Sequence, residues 1–359
     1  MMNKFDLYII KKFFSTFLFT LTIILLIVVI FDISEKIDDF LEHNLRINSI
    51  IKEYYLHFIP YFANLFSPLF IFISVIFFTS RMAENNEIIA ILNSGMSFVR
   101  FLKPFIISAI FFTCFSFVLS NFIIPYSNQY RIDFENKYLR NKKHNKNKNI
   151  HLQILPEEYV YLESFNTNRN IAYKFTLEEF EDSELKRKLK ADYAQFDSID
   201  QHWSLNNYEI REFKNEYEEI TKGKKINVNI KLSPKDLLEN NSIIETMNFY
   251  KLNNHIKNEE LKGKEQVIYY KIEKQKRIAF PFATIILTLI AVAISSNKIR
   301  GGMGVHLGIG ILITFTYILF MQISTTFSTN SNLAPVISVW IPNFIFGLIA
   351  VLLLRKRII

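Results

Sequence analysis

The chain has 359 residues, half of them hydrophobic (50%), with 36 Phe, one Cys and 42 Lys and Arg against 34 Asp and Glu, a formal net charge of +8. Much of the cationic excess sits beside long apolar runs, where anionic lipid attracts it, so a nucleic-acid partner is excluded. The one cysteine, Cys114, lies inside an apolar run, which excludes a disulfide framework and implies no thiol chemistry.

A helix needs about 20 largely uncharged residues to cross the roughly 30 Å hydrocarbon core. Phe13 to Phe31 meets that without one charge. Basic residues ahead of this run mimic a signal peptide, but the run exceeds an h-region and no small-residue cleavage site follows, so an uncleaved first span is expected. At its far end lie Asp32, Glu35, Lys36, Asp38 and Asp39. The second run, Leu56 to Thr79, contains Pro60, Asn64 and Pro68, which a span tolerates where neighbouring helices re-satisfy the freed carbonyls.

Arg81 to Ser94 reads RMAENNEIIAILNS and stops at Gly95, a residue suited to the left-handed turn after a helix. Glu84, Glu87, Ile88 and Ile91 fall at i, i+3, i+4 and i+7, placing two carboxylates and two apolar knobs on one predicted face. Such a face suits docking into the groove of a soluble partner. Equally, the isoleucines can pack on the membrane or other spans while the glutamates complement the helix dipole. A third span follows over Phe101 to Ile124.

Beyond it the pattern changes. The Asn- and Lys-rich run Asn141 to Asn149 reads as a polar connector. Ile150–Leu155, Glu158–Phe165, Ile171–Phe180, Lys188–Phe196, Trp203–Phe213 and Ile226–Leu232 then carry β-branched and aromatic residues near a period of two, with polar turns between them. An antiparallel sandwich, a jellyroll or an open sheet fits this spacing, and each leaves edges that must be covered or paired. A short helix is predicted from Ile243 to Lys262, and an amphipathic helix from Glu265 to Arg277 leads into a fourth span, Ile278 to Ile294. The last two spans, Val305 to Phe327 and Val336 to Leu354, are joined by a Ser/Asn/Pro turn.

Orientation follows from Lys and Arg near the span ends. One side collects Lys4, Lys11, Lys12, Arg81, Arg100, Lys103, Lys298, Arg300, Arg355, Lys356 and Arg357, whereas the short loops of the other hold Lys36, Arg46 and Lys52. Both termini are therefore predicted cytoplasmic and the large insert external. Enzyme readings fare poorly, since no G-x-x-x-x-G-K-[ST], H-E-x-x-H, G-x-S-x-G or C-x-x-C occurs. His57 and His306 lie near opposite membrane faces, and Asn64, Asn121 and Gln322 read as interhelical hydrogen-bonding groups rather than an ion relay. No cofactor is implied.

The stretch FSPLFIFISVIFFTSRMAENNEIIAILNSGMSFVRFLKP resembles the second span, coupling helix and third span of the LptF/LptG permeases of the lipopolysaccharide export ABC transporter. APVISVWIPNFIFGLIAVLLLRKR resembles the end of that family, and HWSLNNYEI and ETMNFYKLNNHIKNEELKG fit its external domain. The resemblance implies a polytopic α-helical membrane protein of six spans, three plus three, with an inserted periplasmic all-β, jellyroll-like domain. Residues 1–128 would hold the first three spans with a coupling helix over 81–95, residues 129–262 the β domain and a short helix, and residues 263–359 a connecting helix and the last three spans.

It further implies a bacterial inner-membrane subunit that pairs with a homologous permease and a cytoplasmic ABC ATPase dimer, and passes lipopolysaccharide to a periplasmic bridge protein. On this resemblance Arg81, Glu84, Glu87, Ile88, Ile91 and Gly95 belong to the ATPase-coupling helix, and the first and fifth spans form a lateral gate. Lys36 and Asp38 are candidates for the substrate path. Here the chain departs from the family, since acids stand where members can place several lysines; a divalent cation bridging Asp38 to phosphate is one reading, and Lys36 paired with its neighbouring acids is another. A competing reading from another class is a permease-like scaffold that transmits ATP hydrolysis to a periplasmic enzyme or cell-envelope partner without moving lipid.

Overall fold

The computed structural model describes residues 3–139, 148–166, 169–182, 184–198, 200–214, 217–230, 232–237, 241–261, 266–299, 301–330 and 333–358. Most of the connector at 141–149, the residue Arg300 and the expected boundary between residues 262 and 263 lie outside them. Two compact units result, one of Met1–Leu139, Glu245–Asn253 and Ile268–Ile359, the other of Arg140–Ile244 and Asn254–Val267.

Among the described residues six helices, all in the first unit but for Val267, are long and apolar enough to cross a membrane: Lys4–Glu42, Ile47–Glu84, Phe98–Leu139, Val267–Ser295, Gly302–Thr329 and Pro335–Arg357, hereafter the first to sixth spans. They outrun the apolar stretches because polar turns continue the helices past the hydrocarbon thickness. Their shared core is built on Phe13, Phe72, Phe78, Phe101, Phe105, Ala283, Leu287 and Tyr317, all buried. The second and fifth spans approach closely at Gly310, where a Cβ would come within 2.4 Å of the Ile76 side chain and 3.1 Å of Phe72, so only glycine fits.

Prolines inside the spans free the carbonyl four residues earlier, and side chains recover three of these. Ser67 Oγ donates to the Asn64 carbonyl (2.9 Å) before Pro68. Asn121 Nδ2 donates to the Arg277 carbonyl (3.4 Å) before Pro281, and Ser324 Oγ donates to the Ser338 carbonyl before Pro342. Asn121 lies in a π-helical turn of the third span, Leu119–Ile123. Asn64 bridges to Ser116 and Ser120 at 2.7 and 2.9 Å, and Asn343 joins Tyr317 (2.8 Å) to the Ala279 carbonyl (2.9 Å), tying three spans together. Asn64 and Asn121 therefore act between helices as expected; the Gln322 side chain is exposed, and Asn343 fills a role the sequence reading did not assign.

Within this unit the chain returning at Glu245–Asn253 is gripped by two buried arginines. Arg131 reaches the Glu245 carboxylate (3.1 Å), and Arg277 Nη1 donates to the Met247 carbonyl (2.6 Å). Burial holds the Glu245 carboxyl above its ordinary range, with Arg131 opposing that rise.

The second unit is one antiparallel sheet of β1 (Lys148–Leu155), β2 (Glu158–Asn166), β3 (Ile171–Glu181), β4 (Glu184–Asp197), β5 (His202–Lys214) and β6 (Tyr217–Val228), each strand pairing with the next in sequence. The jellyroll-like insert is thus a six-stranded meander. Period-two alternation puts Val160, Leu162, Phe175, Leu177, Leu189, Leu205 and Trp203 on one buried face. Ile230 and Leu232, expected in the last strand, have left the sheet and are buried in the same core, where the Leu232 carbonyl accepts from Trp203 Nε1 at 2.7 Å. The opposite face carries cross-strand ion pairs, among them Glu178–Lys188 (2.5 Å) and Glu209–Lys222 (2.9 Å). The helices after the sheet are Asn241–Glu245 and Phe249–Leu261, so the single helix expected from Ile243 to Lys262 is broken at Thr246–Asn248.

Candidate functional site

The helix expected over 81–95 is two pieces. The second span runs to Glu84, and Asn86 turns left-handed (φ 61°), a conformation Asn tolerates better than most side chains, before a separate helix at Glu87–Asn93. Glu84 therefore does not share a helical face with Glu87, which is the correction to the i, i+3 reading. Gly95 closes the short helix with φ 91°.

The break also resets which side chains face outward. Ile88 is 1% exposed and belongs to the core of the spans, with Ile91 packed against it, whereas Ile89 is 50% exposed. The outward knob is thus Ile89 rather than the two isoleucines that the continuous helix selected. Glu87, half-buried, accepts a hydrogen bond from Asn85 Nδ2 at 3.1 Å, and Arg81 is exposed one turn before the break. An exposed isoleucine beside a carboxylate, on a seven-residue helix standing between two spans, is chemically suited to an apolar groove with a basic rim.

Polar links fasten the two flanks of this helix to other spans. Before it, Glu84 Oε1 accepts from the Met303 amide (2.7 Å) in the first turn of the fifth span, and Lys298 Nζ donates to the Glu84 carbonyl (3.3 Å). A carboxylate on the free N–H groups of a helix start, and an ammonium on the carbonyls of a helix end, both match the helix dipole. After it, Ser97 Oγ accepts from the Arg100 amide (3.2 Å) at the start of the third span, and the Arg100 guanidinium grips Asp6 of the first span through two bonds of 2.6 and 2.8 Å. Close by, His306 Nδ1 pairs with Ser80 Oγ at 2.8 Å, while His57 stacks on Tyr130 with ring centroids 4.6 Å apart.

At the other end of the first span Lys36 is already engaged. Its ammonium bonds Asp32 Oδ1 (2.5 Å) and the Tyr54 hydroxyl, and it lies 4.8 Å from the Tyr54 ring centroid and 5.8 Å from that of Phe58. Tyr55 donates to the other Asp32 oxygen at 3.0 Å. A carboxylate, one phenol and two aromatic faces satisfy this cation within the chain, and the Tyr55 hydroxyl holds the carboxylate. Asp38 is exposed two residues further on. Among the described residues no group of three or more His, Cys, Asp and Glu side chains is arranged to hold a metal ion, so the acidic run at 32–39 is not gathered into a cation site.

The first and fifth spans bury only 11% and 22% of their most apolar stretches, against 56% and 61% for the second and fourth. Phe19, Leu26, Ile30 and Phe31 on the first, and Leu312, Phe315, Ile323 and Phe327 on the fifth, are exposed. Such faces require lipid, another protein or a sheltered apolar cargo against them.

A family model described as "Lipopolysaccharide export system permease LptF/LptG" matches residues 7–356. No curated protein matches the chain.

Proposed function

The chain belongs to the LptF/LptG family of lipopolysaccharide export permeases, multi-pass proteins of the inner membrane, and from that premise we propose that it is one permease subunit of an ATP-driven exporter that lifts lipopolysaccharide from that membrane to a periplasmic bridge. The carrying observation is the family match over nearly the whole chain, on an architecture of three spans, a β insert and three spans. In this reading both termini and the Glu87–Asn93 helix face the cytoplasm, as the Lys and Arg distribution favours, and the β domain faces the periplasm.

The energy comes from a separate ATPase dimer, because the sequence has no phosphate-binding loop. Glu87 and Ile89 enter its groove; Arg81, Ile91 and Gly95 set the position of the helix that carries them, and Ile88 anchors it to the spans. The poorly buried first and fifth spans face a homologous permease and the cargo between them. Shelter is required there, since each acyl CH₂ returned to water costs about 0.8 kcal/mol. Lys36 and Asp38 lie along the substrate path, Lys36 as a group that must leave Asp32 before it meets a phosphate.

Photo-crosslinkers at Phe19 and Phe315 in the membrane-embedded complex test this. An exporter subunit yields adducts with lipopolysaccharide; adducts with protein alone would instead favour a scaffold that transmits force to an envelope partner. Co-purification adds a second arm: Ile89→Asp should strip the ATPase from the complex, and retention of the ATPase by that variant would remove Ile89 from the contact.

A further inference from the structure

The Glu87–Asn93 helix is followed within a few residues by Arg100, and Arg100 holds a carboxylate that belongs to a different span. Asp6 is almost wholly buried (2% side-chain exposure) while Arg100 is 29% exposed. Both carboxylate oxygens are taken by the guanidinium fork, and Oδ2 also accepts from the Asn3 amide at 3.0 Å. Two parallel bonds fix direction as well as distance, which one ammonium contact does not. The Asn3 bond places Asp6 at the helix start, so a pull on the carboxylate acts on the helix axis rather than on a loose side chain.

The rest of the attachment holds the first span at its two ends. The Phe5 ring lies 6.1 Å from that of Phe101, and Ile9 and Phe13 are fully buried nearby in sequence. In the middle, Leu18, Phe19, Ile23, Leu26 and Ile27 are exposed, with the Thr20–Ser74 hydroxyl contact at 3.0 Å between the first and second spans, and at the far end Lys36 and Asp32 bond the Tyr54 and Tyr55 hydroxyls while Phe40 is buried. A buried carboxylate that lost its partner would be left uncompensated, so the pair moves together or breaks at high cost.

We propose that the Asp6–Arg100 pair is the positioning contact that carries displacement of the 87–97 segment to the first span, so that the first span moves with the ATPase. The inference rests on the reading of Glu87–Asn93 as the ATPase-docking helix and of the first span as part of the gate. Arg100 and Asp6 touch neither nucleotide nor cargo; they act through the span they join.

The test uses the full permease pair with its co-expressed ATPase in proteoliposomes containing lipopolysaccharide, with ATP hydrolysis, retained ATPase and lipopolysaccharide released to an acceptor measured on the same preparation. Asp6→Asn and Arg100→Lys should keep the ATPase and its hydrolysis yet release about tenfold less lipid per ATP, a loss within the range of couplings between sites. The exchange Asp6→Arg with Arg100→Asp should recover part of it. Unchanged release per ATP in both single variants overturns the proposal. So does a parallel fall in ATPase retention, hydrolysis and release, because a pair that only holds the fold predicts that pattern; Arg100→Lys, which preserves the charge, guards against Asp6→Asn failing to fold. If the wild-type complex never retains an ATPase, the docking reading itself falls first, and this inference with it.

Discussion

The Glu84 carboxylate caps the fifth span: its Oε1 accepts the Met303 amide at 2.7 Å across 219 residues of sequence. A side chain chosen from sequence as a partner contact is thus occupied within its own chain. Glu84→Ala should behave as the loss of a helix cap, lowering stability by about 1 kcal/mol, and should leave ATPase association intact. Glu87→Arg should do the opposite, abolishing association with little change in thermal stability. Pull-down and thermal unfolding of the two single variants, run side by side, check both halves; equal loss of association by each would return Glu84 to the contact.

The β domain depends on Trp203, which is fully buried between Phe196 and Phe175 and closes the core through the Leu232 carbonyl. Trp203→Ala should cost about 3–5 kcal/mol, the range for emptying a large aromatic site. Trp203→Phe, which keeps ring packing but strands a buried carbonyl, should cost about 1–3 kcal/mol. Denaturant unfolding of the full chain in detergent, followed by limited proteolysis within β1–β6, gives the ranking.

Much of the architecture was legible from periodicity. Six long apolar runs and a block of alternating strands leave few other folds, and β1 to β5 overlap the expected strands because each contributes several residues to the buried face. β6 was not legible upstream of Ile226, since YEEITKGKK lies on an edge, exposed or half-buried throughout, and has no core residues to betray its period. The coupling segment was misread for a related reason: pattern matching runs through Asn85 and Asn86 as if they were helical, although an Asn pair is where a left-handed break is cheapest. Once the break is known, Ile89 becomes the outward residue. Asp6–Arg100 and Glu84–Met303 had no local signal at all, because their partners are brought together only by packing of the spans.

On the outer face of the sheet, Glu209 lies between Lys222 and Arg211, whose hydrogen bonds bring its carboxyl down to about 2. A folded-state value below the ordinary 4.5 means that its contribution to stability is fully present above about pH 4.5 and is lost as pH falls through about 2. The melting difference between wild type and Glu209→Gln should therefore be constant from neutral pH to about pH 5 and shrink towards pH 2. Its exposure keeps the effect small and salt-sensitive. A difference that vanished near pH 4.5 would show that neither cation holds the carboxylate.

Asn121 is placed to repair what Pro281 removes. Pro281 has no N–H to offer the Arg277 carbonyl, and the third span supplies Asn121 Nδ2 instead, at 3.4 Å, while the same amide donates to Phe117 at 2.9 Å. The interhelical bond is long, so Asn121→Leu should cost about 1 kcal/mol, near the lower end for a stranded buried acceptor. The discriminating variant is Pro281→Ala, which restores a backbone donor to that carbonyl. In this background the carbonyl no longer needs the asparagine, and Asn121→Leu should cost less than it does beside proline, a coupling that a double-mutant cycle of thermal unfolding in detergent resolves. Equal costs in the two backgrounds would mean that Asn121 serves only its own helix, and that the carbonyl freed by Pro281 is accommodated without a bond from the third span.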